Sequence, residues 1–207
     1  MAGLFGWGAK RPVEPPAPER PLETTVATVV LQRFLTALAP RQAPVLLDLG
    51  PAVGANVSFL GEQLACKLLI GDLFHEVRDA GGDGVRTSLV ARLERTVTGQ
   101  IDAVLCWDAF DYLDRPTAQA VAEFLAARLR PGGVVHGYFA TAPGTVDQYT
   151  RYVIQSPTSL QCRHESIAPR KRCVLSTRDL AAMFTGAKVM ESVLLKSQRR
   201  EILLRKG

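Results

Sequence analysis

Apolar residues run along the chain in two rhythms. Unbroken short runs, VLLDLG at 45–50, KLLIGD at 67–72, IDAVLCWD at 101–108 and VVHGYFAT at 134–141, have the length and continuity of strands covered on both faces. Between them lie segments with helical spacing. In 23–39, Val26, Val29, Val30, Phe34, Leu35 and Leu38 recur, and Pro40 follows; further helices are expected over 56–65 and 88–97. Another covers 117–129, opened by Pro116 and stopped by Pro131-Gly132-Gly133. A strand is also expected near Val85. Ser176-Thr177 precede a short helix running through Phe184, and AKVMESVLLKSQ followed by RREILLRK reads as an antiparallel hairpin. Buried strands alternating with helices predict an α/β fold: a three-layer sandwich with a mostly parallel sheet and an antiparallel C-terminal strand hairpin.

Two stretches fit neither rhythm. Residues 1–21 are Gly-rich and then Pro-rich (RPVEPPAPERP), a composition expected to form a disordered arm ahead of one domain over 22–207. Its tip holds Leu4, Phe5 and Trp7, which rest on the domain or dock on a membrane or partner. Residues 142–176 form a long connection with scattered Pro, Arg and Cys, expected to be a lid or substrate-binding insertion.

Composition narrows the class. A chain of 207 residues, 47% hydrophobic and 22% charged, suits one domain with a full core and excludes wholesale disorder, collagen and coiled coil. No apolar run approaches the ~18 residues of a membrane span, so a cytoplasmic protein is expected. The net charge of +5 helps an anionic substrate approach but is no nucleic-acid footprint. Arg163, His164, Arg170, Lys171, Arg172 and Arg178 concentrate charge near the presumed lid; a solvated face is favoured there over an RNA site. Cys66, Cys106, Cys162 and Cys173 lack framework spacing. Cys162, His164 and Cys173 have no CxxC pair and no fourth ligand beside them, so no metal is expected. Oligomeric state is not legible.

The chemistry-bearing stretch is Asp48-Leu49-Gly50-Pro51-Ala52-Val53-Gly54-Ala55-Asn56. A glycine turn between strand and helix lets backbone approach a ligand and aims helix N-terminal amides at it. Asp72 closes the next strand 18 residues after Gly54, the offset at which an acid meets ribose hydroxyls in nucleoside-binding folds. Trp107 and Asp108 end the third strand and should face the cleft. Trp107 is a candidate to pack on adenine or cap the substrate, with plain packing on the following helix as its rival. Asp108 is the candidate to orient a nucleophile or accept its proton. His136, inside a strand, reads as core. Tyr138, Thr141, Tyr149, Arg151 and Tyr152 are candidates for the substrate side.

LDLGPxxG, an acid ending the second strand, IDAVLCWD, and LRPGGVV followed by a terminal hairpin together resemble class I S-adenosylmethionine-dependent methyltransferases over most of the chain. The resemblance implies a Rossmann-like fold and a cofactor, S-adenosyl-L-methionine. It implies that Asp48, Gly50 and Gly54, with Pro51, Ala52 and Asn56 in the same turn, wrap the methionine end, while Asp72 holds the ribose. Pro51-Ala52 stand where many members carry a second glycine. Methyl transfer from a sulfonium is an in-line displacement needing alignment rather than a metal or covalent intermediate. The expected function is methyl transfer to an unidentified, small-molecule or larger, acceptor. The alternative is a non-catalytic relative that binds cofactor or a protein partner. An NAD-dependent dehydrogenase is disfavoured by the acid before the first glycine, the missing GxGxxG and the terminal hairpin.

Overall fold

The structure, a computed structural model, describes residues 23–74 and 84–207, with the side chains of 84 and 85 left out; the expected arm over 1–21 lies outside the described residues. In chain order the elements are β1 (Glu23–Ala27), α1 (Val30–Leu38), β2 (Val45–Asp48), α2 (Gly54–Leu64), β3 (Lys67–Ile70), α3 (Gly84–Thr96) and β4 (Ile101–Trp107). A 3-10 turn (Ala109–Tyr112) leads to α4 (Arg115–Arg128), β5 (Leu129–Ala140), β6 (Thr145–Ser156), β7 (Ser159–Lys171), α5 (Thr177–Met183), β8 (Ala187–Leu194) and β9 (Arg199–Lys206).

Six strands make the central sheet in the order β3-β2-β4-β5-β9-β8. The first four are mutually parallel, and β9 runs antiparallel to both β5 and β8. Apolar runs on both faces of β2 and β4 require a helical layer on each side. One face receives Leu31, Phe34 and Leu38 of α1 and Leu60 of α2. The other receives Leu89 and Leu93 of α3, Val121 and Leu125 of α4, and Leu180 of α5. This is the three-layer, mostly parallel Rossmann-like sandwich with an antiparallel C-terminal hairpin that the sequence implies.

Local chemistry sets the helix starts. Asp114 caps α4 by accepting from Thr117 N at 2.7 Å, with Pro116 in the first turn. Ser176 and Asp179 form a reciprocal capping box at α5.

Three expectations change. Residues 23–27, read as the start of a helix, are strand β1, which pairs with β7. Thr24, Thr25 and Val26 are β-branched, and the helix begins only where Thr28 Oγ1 and the Glu201 carboxylate accept from Leu31 N, each at 3.3 Å. Val85, near which a strand was expected, lies in α3. The connection over 142–176 is mostly a long hairpin, β6–β7, which joins β1 in a separate sheet of order β1-β7-β6. Among the described residues no helix is long and apolar enough to cross a membrane.

Candidate functional site

With β3 on one side of β2 and β4 on the other, the winding reverses at β2, and ligands bind beyond the strand ends at such a point. Asp48 ends β2 and is buried. Its Oδ1 accepts from Gly50 N at 2.8 Å and from Trp107 Nε1 at 2.7 Å. Burial pushes its carboxyl up to about 6 against the pull of those two donors. A Cβ at Gly50 would stand 2.9 Å from Trp107 Cδ1, so only glycine lets the indole lie on the turn. Trp107 holds φ +48, an unfavourable conformation for a bulky residue, and its ring turns back over Gly50. Asp48, Gly50 and Trp107 are thus one interlocked unit, with Oδ1 of the carboxylate satisfied inside it.

The rest of the turn is more open. Pro51 is half-buried and Ala52 exposed. A Cβ at Gly54 would meet nothing within 4 Å, and no side chain caps the start of α2. Asn56 differs from expectation. Its Nδ2 donates to Tyr152 O at 2.9 Å and its Oδ1 accepts from Ile154 N at 2.8 Å, so its amide clamps β6 onto α2 instead of facing a ligand.

Asp72 follows β3 with φ +43, a left-handed geometry that Asp tolerates better than most residues. Gly71 N donates to Asp48 O at 2.6 Å and Leu73 N to Leu49 O at 2.9 Å, which carries the parallel register past the strand end. Asp72 Oδ1 is buried and has no hydrogen-bond partner among the described residues. An orphaned carboxylate oxygen is costly unless something completes it.

Strand β6 roofs this region. Tyr149 stacks on Phe74 with ring centroids 3.5 Å apart, and Tyr152 stacks on Trp107 at 5.1 Å. Beneath Phe74, Tyr112 and Tyr149 the remaining cavity is about 10 Å³. The pleat splits the three expected substrate residues: Tyr149 faces the crevice, while Tyr152 lies between Trp107 and Tyr138. Arg151 pairs instead with Glu165 at 2.8 Å, both part-exposed, and does not join a common substrate wall.

Asp108, the catalytic candidate, is buried in an ionic network. Its Oδ2 takes Arg199 Nη1 at 3.0 Å, Tyr152 OH at 3.1 Å and Tyr112 OH at 3.2 Å. Its Oδ1 is buried without a partner among the described residues. Asp111 lies on the same guanidinium, at 3.6 Å from Nε, and accepts from Ala140 N at 2.9 Å. Burial pushes the Asp111 carboxyl up to about 7, with Arg199 opposing and Asp108 adding to the rise. The unfolded chain therefore releases this proton near 3.8 and the folded chain near 7. Folding stability must fall as pH rises across that interval, by at most about 1.4 kcal/mol per pH unit. Urea unfolding of Asp111→Asn should show a flatter decline between pH 5 and pH 7.5 than the wild type; parallel curves would remove Asp111 as the cause.

Sequence reasoning missed Arg199, Glu201, Phe74 and Tyr112. Glu201 carried a signal: it sits in REILLRK on the same face as Leu203, so its carboxylate had to find partners in the core. Those partners are His136 Nε2 at 2.9 Å, Tyr138 OH at 3.2 Å, the Thr28 hydroxyl and the amides opening α1. Thr141 Oγ1 donates to Gln198 O at 2.8 Å and ties β5 to the β8–β9 turn. Asp102, at the start of β4, anchors the opposite end of the sheet through Arg41 at 2.5 Å and Arg130 at 3.0 Å.

No family model and no curated protein matches the chain. Solved structures with a similar outline include the glycopeptide N-methyltransferase MtfA complexed with S-adenosylmethionine, at 13% identity over 86% of this chain and 92% of that one, with a TM-score of 0.47. DesVI of Streptomyces venezuelae superposes with a TM-score of 0.49 at 16% identity, covering 86% and 89%. An S-adenosylmethionine-dependent methyltransferase of Clostridium acetobutylicum gives 0.46 at 11% identity, covering 86% and 91%.

Proposed function

We propose that the chain is a methyltransferase that takes its methyl group from S-adenosylmethionine and passes it to a small organic acceptor. The observation that carries this reading is Asp72: a carboxylate oxygen, buried and unpartnered among the described residues, held at the end of the strand next to the glycine turn. Vicinal ribose hydroxyls are donors of the kind that complete such an oxygen. The residues fit an adenosyl group in kind, and displacement of the Tyr149 roof supplies the room.

When bound, the cofactor supplies an electrophilic methyl carbon on a sulfonium whose leaving group is a neutral thioether. The chain's own residues bind and orient. Asp72 fixes the ribose, and the open start of α2 at Gly54 leaves backbone amides for the anionic end of the cofactor. Asp48 acts through Trp107, setting the shape of the turn. Asp108 Oδ1 offers a hydrogen-bond acceptor to a donor in the crevice, while Arg199 holds Oδ2. The hairpin β6–β7 serves as the cover that excludes water.

A second reading, a non-catalytic relative, is favoured by one observation: a cavity of about 10 Å³ holds no adenosyl group until the roof moves. Calorimetric titration with S-adenosylmethionine, S-adenosylhomocysteine and NAD separates the two. Micromolar-range binding of the first two with none of the third is expected. NAD binding alone would end the methyltransferase reading, and binding of none, even with Tyr149 truncated, would favour the non-catalytic one.

A further inference from the structure

A larger cleft lies on the other side of Tyr152. It measures about 490 Å³, between the β1-β7-β6 sheet and the β8–β9 turn, and falls in the size range of small-molecule sites. Its apolar walls are Val26, Tyr138, Tyr152 and Leu195. The Cys162 thiol belongs with them, because burial pushes it up to about 11 and it stays uncharged at neutral pH. Polar groups complete the lining. His164 is held between Thr24 Oγ1 at 3.5 Å and Thr150 Oγ1 at 3.3 Å. Lys196 and Arg199 bring positive charge to the β8–β9 side, and no Asp or Glu side chain lines the cleft. Arg199 is already balanced by Asp108, whereas Lys196 is exposed and has no carboxylate partner among the described residues.

We propose that this cleft binds a small organic acid whose apolar, ring-bearing body lies against Tyr138, Tyr152 and Leu195 while its anionic group reaches Lys196. The apolar body gains by leaving water, and the acid finds the one lining charge that the described residues leave unbalanced. A neutral ligand of the same shape would forgo the ionic contribution. A cation would meet Lys196 with no lining carboxylate to offset it. The proposal does not rest on the methyltransferase reading: the cleft and the crevice share no lining residue and lie on opposite sides of Tyr152.

Two fluorescent probes of one shape test the selection: anilinonaphthalene sulfonate and its uncharged parent, phenyl-naphthylamine, titrated into the full-length protein without cofactor. The sulfonate should bind roughly fivefold or more tightly than the parent, the size of one partly exposed ion pair. Lys196→Ala should erase that preference and leave the parent's affinity unchanged. Lys196→Glu should reverse it. Ala27→Trp, which fills the cleft from an exposed position on β1, should abolish binding of both while the unfolding curve stays in place. Equal affinity of the two probes for the wild type, or sulfonate binding that survives Ala27→Trp, would overturn the proposal. A failed cofactor titration with intact, Lys196-dependent probe binding would count against the methyltransferase reading alone.

Discussion

Replacing Arg199 by Met should cost about 3–5 kcal/mol of folding stability at pH 8, the largest single effect expected in this chain. The guanidinium is the only cation paired with Asp108 and Asp111 among the described ion pairs, and both carboxylates are 1% exposed. It also donates to Tyr152 OH at 2.8 Å, which joins β9 to β6. Met keeps much of the apolar stem and removes the charge, so packing loss is small and the cost measures two buried acids left facing each other. The penalty should shrink as pH falls, because Asp111, freed of the opposing guanidinium, takes up its proton at higher pH in the variant, and the neutral form is cheaper to bury. Urea unfolding at pH 8 and pH 5 checks both statements. The triple variant with Asp108→Asn and Asp111→Asn should recover most of the loss, since removing both partners of a buried pair is far less damaging than removing one. A loss under about 1 kcal/mol at pH 8 would place that guanidinium in solvent rather than in the network.

Tyr149→Ala should act in two directions at once. Truncating a buried aromatic that stacks on Phe74 should cost about 3 kcal/mol of stability. The same change should tighten S-adenosylhomocysteine binding by roughly tenfold, because a ligand admitted only when the roof is displaced binds weakly in proportion to how rarely that happens. Thermal unfolding and calorimetry on one preparation read the two effects. If affinity instead falls with stability, Tyr149 is a contact of the bound ligand and not its obstacle.

Much of this architecture was written in local pattern. The strands β2, β3, β4 and β5 announce themselves because both faces are covered, which demands continuous apolar runs. The hairpin β8–β9 and the caps at Asp114 and Ser176 depend only on near neighbours. What stayed hidden depends on residues far apart. Val26, Val29 and Val30 keep helical spacing, yet a strand at Thr24–Val26 pairs with Leu160–Cys162 and the helix start is set by Glu201. The β6–β7 hairpin carries Arg, Gln and His between its apolar residues because one face meets solvent, which blurs any apolar run.

The site shows the same division. Asp48, Asp72, Trp107 and Asp108 stand at or just past strand ends, since that follows from where the apolar runs stop. Their partners do not follow. Asp48 is taken by Trp107, Asn56 by β6, and Asp108 by an arginine 91 residues away. Only Asp72 keeps a buried oxygen open while standing where the ribose is expected.

That oxygen is therefore the place to press. Calorimetric titration of S-adenosylhomocysteine into the wild type and Asp72→Ala should show a loss of roughly tenfold or more in the variant, the value of a charged hydrogen bond to the ribose. Equal affinity in the two proteins would contradict the account.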